Sequence, residues 1–178
     1  RLNLQRRFGG DWYICTRLHP QLANEIDINK SFPDSSEIID VSKADDMYEI
    51  LSAMDAYITD YSSAAFDAGL CRMPVFLYAD DIKTFSHDRG GLLWNLSERT
   101  NEKVSINENM TPGFHAVLPY PVAKNNDELE TNILNFEFSK YENKLQKMEQ
   151  ELEILFDGNA STNTAKWIID HMDERGSL

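Results

Sequence analysis

The stretch Tyr57-Ile58-Thr59-Asp60-Tyr61-Ser62-Ser63-Ala64-Ala65-Phe66 decides the fold. Ala56 to Thr59 reads as a short buried strand. Asp60 to Ser63 is a polar turn with two hydroxyls, and Ala64 to Leu70 is a run of small residues suited to a helix. Gly69 lies near the end of that helix, and Pro74 opens the next apolar run, Val75 to Tyr78. Strand, polar turn, helix and strand make one βαβ unit.

The turn is where chemistry would sit. The first backbone N–H groups of a helix lack partners inside it, and with the helix dipole they favour an anion. Ser62 and Ser63 add hydroxyl donors, and Ala64 and Ala65 are small enough for a phosphate to approach. In open α/β sheets, ligands bind outside the carboxyl ends of the strands, and this turn follows such an end. The plainer alternative is that Asp60, Ser62 or Ser63 only caps the helix.

Working outward, residues 1–10 read as a linker or the end of a helix, closed by Gly9-Gly10. Trp12 to Thr16 reads as a strand that runs into Arg17-Leu18-His19-Pro20. Pro20 keeps His19 out of the helical region and suits a helix start just after the loop. Arg17 and His19 therefore leave another strand at its carboxyl end. Arg offers a planar fork to phosphate, and His exchanges a proton near neutral pH. Here the alternative is an Arg17–carboxylate pair on the surface and a His19 that caps a turn. Ile38 to Val41 is a further short strand, and Asp46 to Met54 has helical spacing at Met47, Ile50, Leu51 and Met54.

Downstream, a short helix leads to Arg89-Gly90-Gly91, where glycine allows close backbone approach to a ligand. Residues 98–110 read as an exposed excursion. Val117 to Val122 holds Pro119 and Pro121, so any strand there is an edge or an extended loop. Asn126 opens a helix with acidic residues in its first turn. Ser139 to Phe156 reads as one long helix stopped by Gly158, with a stripe of Tyr141, Leu145, Met148, Leu152 and Leu155 as its packing face. A last helix starts at Asn159-Ala160-Ser161. The order β-α-β-α-β-α-β followed by helices predicts an α/β fold with a mainly parallel sheet.

Composition narrows the function. A chain of 178 residues is about one domain. A net charge of −13 argues against a nucleic-acid surface and against this piece being the main contact with anionic lipid. No apolar run approaches the ~20 residues that a membrane span needs, and no signal-peptide pattern opens the chain. Without an initiating Met, the chain reads as a fragment of something longer. Cys15 and Cys71 lack metal-ligand spacing and read as buried free thiols in a reducing compartment. No carboxylate cluster demands a metal, and a divalent-metal requirement is left open.

Taken together, Arg17-Leu18-His19-Pro20, Ile58-Thr59-Asp60-Tyr61-Ser62-Ser63 with Phe66-Asp67, and Arg72-Met73-Pro74-Val75-Phe76-Leu77-Tyr78 carry a resemblance. Asp81, Arg89-Gly90, Pro112-Gly113, Asn126 to Leu129 and Phe156 to Ser161 extend it in the same order. The chain resembles the C-terminal half of bacterial CDP-glycerol glycerophosphotransferases, the teichoic-acid primases and polymerases.

That resemblance implies a Rossmann-like parallel sheet forming one half of a GT-B-type architecture, with residues 11–178 as the nucleotide-donor-binding domain. It implies transfer of glycerol phosphate, or a related alditol phosphate, from a CDP-alditol to a hydroxyl of a surface polymer or lipid-linked acceptor, releasing CMP. It places the whole protein in the cytoplasm, peripheral to the inner face of the bacterial plasma membrane. His19 matches the family's donor-side histidine, a hydrogen-bond donor or general acid to the leaving CMP. Arg17, Ser62 and Ser63 would hold the diphosphate, Thr59 and Asp60 would shape the turn, and Arg89-Gly90 would add a phosphate or ribose contact. The family's other histidine, a candidate base, lies in an N-terminal half, so this chain alone is expected to be inactive, and the acceptor is expected to bind through that half. No tightly bound cofactor is implied. The alternatives are the donor half of a GT-B sugar transferase or epimerase using another nucleotide sugar, and a non-catalytic nucleotide-binding module.

Overall fold

The fold is seen in a computed structural model, which describes residues 2–88 and 118–175. Helix and strand alternate along most of the chain. The elements are α1 (Leu2–Phe8), β1 (Ile14–Thr16), α2 (Ile28–Ser31), β2 (Ile38–Asp40), α3 (Met47–Ser52), β3 (Tyr57–Thr59) and α4 (Ala64–Leu70). They continue with β4 (Val75–Tyr78), α5 (Ile82–Asp88), β5 (Val122–Ala123), α6 (Asn126–Leu134), α7 (Phe138–Glu151) and α8 (Ala160–Arg175).

All the strand pairs are parallel, as βαβ connections require. They form two sheets, β1-β2 and β3-β4-β5. Tyr57 pairs with Val75 and Thr59 with Leu77, so the opening stretch forms the expected βαβ unit with α4 as its crossover. β5 is a two-residue edge beside β4. Pro121 lacks an N–H but still uses its carbonyl, which accepts from the Leu77 N–H.

The core lies around β4, whose Val75, Phe76 and Leu77 are buried. Small residues on α4, Ala65 and Ala68, let that helix sit close to the sheet. Leu118, Tyr120, Ile82 and the α7 residues Tyr141, Leu145 and Met148 complete the cluster. The Tyr141 hydroxyl donates to the Met73 carbonyl (2.7 Å) and so anchors α7 to the corner before β4.

Local capping sets several boundaries. Asp46 accepts from the Tyr48 and Glu49 N–H groups and starts α3. Asn125 accepts from the Glu128 N–H, and the Glu128 carboxylate reaches back to the Lys124 N–H, a reciprocal cap for α6.

Four expectations are corrected. β3 is not buried on both faces: Ile58 is 48% exposed, although its neighbour Phe76 packs on Phe136. The long helix ends at Glu151 rather than Phe156, and Glu153 (φ 51°) turns the chain before Gly158 is reached. Leu155 therefore leaves the packing face and is exposed. Pro20 begins a set of turns closed by the Leu22 and Ala23 N–H groups on the His19 carbonyl, not a helix. Neither free thiol is fully buried: Cys15 is half-buried, and Cys71 is exposed because it sits at the C-terminal cap of α4.

Residues 1–10 hold the helix α1, followed by Gly9 and Gly10 at positive φ. It docks on α6 through Asn3 Nδ2 to Glu130 Oε1 (2.6 Å) and Arg7 Nε to the Leu134 carbonyl (3.1 Å).

Candidate functional site

The residues singled out from the sequence fall into two described groups, each on the loop leaving the carboxyl end of a parallel strand. The first follows β1. Arg17 Nη1 donates to the carbonyls of Val41 (3.2 Å) and Ala44 (2.8 Å), and the Leu18 N–H donates to Ser42 Oγ (3.0 Å). These bonds stitch the β1 loop to the loop after β2. Arg17 thus meets carbonyls rather than the carboxylate that the plain surface reading supposed. A guanidinium has five N–H donors, and the two bonds from Nη1 leave those on Nη2 and Nε for an anion.

His19 is exposed, and its Nδ1 accepts from the Gln21 N–H (3.3 Å). The turn-capping alternative therefore describes the Nδ1 side of the ring. It has a chemical consequence. An Nδ1 that accepts a backbone N–H belongs to the tautomer with its proton on Nε2. The ring then presents an N–H donor on its other side.

The second group follows β3. Ser62 Oγ accepts from the Ala64 N–H (3.3 Å), and the carbonyls of Ser62 and Ser63 accept from Ala65 and Phe66. The first turn of α4 is thus largely satisfied from within, and the Ser62 hydroxyl is partly used in capping. Ser63 occupies the N-cap position without a side-chain cap bond and is exposed, so its hydroxyl is the freer of the two. Thr59 ends β3 opposite Leu77, and Asp60 is exposed at the start of the turn. Among the described residues, no hydrogen bond or ion pair joins the Arg17–His19 loop to the Asp60–Ser63 turn. Arg89 and Gly90 lie outside the described residues.

Sequence reasoning missed the role of Tyr61. Its hydroxyl donates to Asp81 Oδ1 (2.9 Å), and its ring stacks on Phe85 at a centroid distance of 3.7 Å. Burial, followed by the bond to Asp81, pushes the phenol well above its ordinary titration range. The available signal was a tyrosine inside a turn otherwise made of small polar residues. The Tyr48 hydroxyl donates to Asp67 Oδ2 (2.8 Å), tying α3 to α4. That bond is the main cause of the upward shift of the Tyr48 phenol.

Among the described residues, no group of three His, Cys, Asp or Glu side chains is placed to hold a metal ion. An open hollow of about 560 Å³ lies at the end of α7, lined by residues including Glu149, Glu153 and Phe156. None of the candidate residues lines it.

Parallel strands, alternating helices and polar loops at the carboxyl ends define an α/β protein of the class that binds ligands at those ends. Comparison with known proteins narrows this. Residues 2–170 match the model of the family described as CDP-glycerol:poly(glycerophosphate) glycerophosphotransferase. The chain belongs to that family.

It is similar to the teichoic acid poly(glycerol phosphate) polymerase of Staphylococcus epidermidis, with 34% identity over 54% of this chain and 13% of that protein. It is also similar to the teichoic acid glycerol-phosphate primase of Bacillus subtilis, with 36% identity over 45% of this chain and 20% of that protein. Two solved variants of the wall teichoic acid polymerase TagF share its fold, with TM-scores of 0.57 and 0.58. Both are 25% identical, and the match covers 99% of this chain and 38% of theirs. The chain thus spans well under half the length of these relatives.

Proposed function

We propose that residues 11–178, with α1 docked on α6, form the donor-binding domain of a transferase that moves glycerol phosphate, or a related alditol phosphate, from a CDP-alditol to an acceptor hydroxyl. The observation that carries this reading is the bond from the Gln21 N–H to Nδ1 of the exposed His19, which leaves Nε2 as the nitrogen for the donor phosphate.

The acceptor oxygen forms a bond to the phosphorus bearing the alditol. The bond from that phosphorus to the bridging oxygen breaks, and CMP leaves with the electron pair. Such transfers need positioning and neutralisation of developing charge more than covalent chemistry by the protein. His19 Nε2–H donates to the departing CMP phosphate. The guanidinium of Arg17, already steadied by two carbonyls, stands two residues away with donors to spare. Ser63 and the α4 end of the turn contact the diphosphate, Ser62 holds the turn in shape, and Thr59 and Asp60 set its start. Arg89-Gly90 remains the further phosphate or ribose contact implied by the family motif. The proton of the acceptor hydroxyl goes to a base outside this chain.

The acceptor is a surface polymer or its lipid-linked primer, bound through the rest of the protein. The protein works in the cytoplasm, at the inner face of the bacterial membrane. The association proposed is peripheral, as the family resemblance implies; among the described residues, no helix is long and apolar enough to cross a membrane.

Calorimetric titration with CMP, CDP-glycerol and UDP-N-acetylglucosamine tests the reading. Cytidine-selective binding that is lost in the Ser62→Ala, Ser63→Ala double variant supports it. Preference for the uridine ligand would replace it with a sugar-nucleotide donor domain.

A further inference from the structure

Tyr61 touches α5 in two chemically different ways. Its hydroxyl bonds to Asp81, the residue just before α5, and its ring lies flat on Phe85 within α5, the two planes 10° apart. The backbone between these points is itself closed, by the Phe85 N–H on the Asp81 carbonyl (3.0 Å). One side chain of the Asp60–Ser63 turn is therefore fastened to a rigid helical turn 20 residues further on. On its other side, that turn is held by bonds within its own immediate sequence, such as Ala64 N–H to Ser62 Oγ.

We propose that Tyr61 is a positioning residue: clamped by Asp81 and Phe85, it fixes the turn, shaped by Ser62, that presents Ser63 to the donor diphosphate. This inference rests on the donor-binding reading above. A turn of small polar residues has many accessible conformations, and freezing one of them before binding lowers the entropy lost when the ligand arrives. The clamp acts on the ground-state grip of the donor rather than on the chemical step. Its loss raises the donor Kd and KM and leaves kcat in place. It is separable from plain structural support, because Tyr61→Phe keeps the ring that packs against the core cluster around β4 and removes only the bond to Asp81.

The test uses the whole protein and four variants: Tyr61→Phe, Asp81→Ala, Asp81→Asn and the Ser62→Ala, Ser63→Ala double. Tyr61→Phe keeps the ring stacking and removes the hydrogen bond. Asp81→Ala removes the same bond from its other end, in case one variant fails to fold. Asp81→Asn keeps an acceptor oxygen. The expected result is a rise of about five- to tenfold in the CDP-glycerol Kd and KM for Tyr61→Phe and Asp81→Ala. In both, kcat and melting temperature stay near wild type, and Asp81→Asn restores binding.

An unchanged Kd in Tyr61→Phe, or a rise that only follows a fall in melting temperature, would overturn the clamp. A different result would overturn the donor reading itself, and the clamp's task with it: wild-type protein that binds no cytidine ligand, or binding indifferent to the Ser62, Ser63 double variant.

Discussion

Arg72 and Glu149, 77 positions apart, form a two-pronged ion pair, with Arg72 Nη1 on Glu149 Oε1 and Nη2 on Oε2 (3.0 Å). The pair joins the corner between α4 and β4 to α7. It is partly shielded, with Glu149 only 13% exposed. Arg72 also holds a left-handed backbone, at φ 65°, which a side chain adopts at a cost.

Substitution separates these two effects. Arg72→Ala loses the pair, leaves Glu149 half-buried without its partner, and keeps the backbone strain. A loss of about 1–3 kcal/mol is expected, between the values for exposed and buried pairs. Arg72→Gly loses the same pair but relieves the strain, so it should be about 1 kcal/mol more stable than Arg72→Ala. Urea unfolding of the two variants side by side checks the order.

Gly69 faces Tyr120. A Cβ at position 69 would lie 2.8 Å from the tyrosine Cε1 and would also meet its hydroxyl. Tyr120 is buried, so it has little room to give. Gly69→Ala should therefore destabilise by about 1–3 kcal/mol. The Tyr120 hydroxyl has no hydrogen-bond partner among the described residues. Tyr120→Phe should then be neutral or stabilising by about 1 kcal/mol, and it should recover part of the Gly69→Ala loss. Thermal melts of the two single variants and the double variant measure this.

Ser62 and Ser63 should separate stability from binding. Ser62→Ala removes the acceptor for the Ala64 N–H and should cost about 0.5–1 kcal/mol. Ser63→Ala removes no cap bond and should change stability by less than about 0.5 kcal/mol. If the turn holds the donor, Ser63→Ala still weakens CDP-glycerol binding in calorimetry.

His19→Ala in the whole protein should lower transfer about 10²- to 10⁴-fold, the usual range for a proton-transfer group. Arg17→Lys should recover only part of the activity lost in Arg17→Ala. A lysine keeps the charge but cannot reach the Val41 and Ala44 carbonyls and the donor with one planar fork. Initial rates of CMP release give both comparisons.

Stability should fall in acid. The Asp27 carboxylate is held below its ordinary range, first by the Lys30 side chain and then by the Lys30 backbone. Asp40 is lowered by hydrogen bonds from Ser42, side chain first and backbone second. A carboxylate whose folded-state pKa is depressed stabilises the fold above its unfolded value, and that contribution is lost as pH falls through the folded one. The unfolding midpoint should therefore hold steady above about pH 5 and drop below about pH 4. The Asp27→Asn, Asp40→Asn double variant should flatten that drop.

The sequence by itself determined the central βαβ unit and the place of the candidate loops. Tyr57 to Tyr78 forms the βαβ unit it spells out, with α4 running from Ala64 to Leu70 and β4 from Val75 to Tyr78. Such patterns are legible because strand alternation, small-residue helices and Gly or Pro punctuation act over a few neighbouring positions. The motifs carried the family for the same reason: they are contiguous.

Tertiary structure decided what some of those residues touch. Arg17 on two carbonyls and Tyr61 fastened to Asp81 and Phe85 depend on which loops meet, whereas His19 Nδ1 and Ser62 Oγ are occupied by N–H groups two residues away. Burial was likewise decided beyond the local pattern. Leu145 and Leu155 belong to one apolar stripe in the sequence, yet Leu145 is fully buried and Leu155 is 71% exposed. A helical period specifies which side chains share a face. Whether that face is covered depends on where the chain turns, and here Glu153 turns it before Leu155 can join the core.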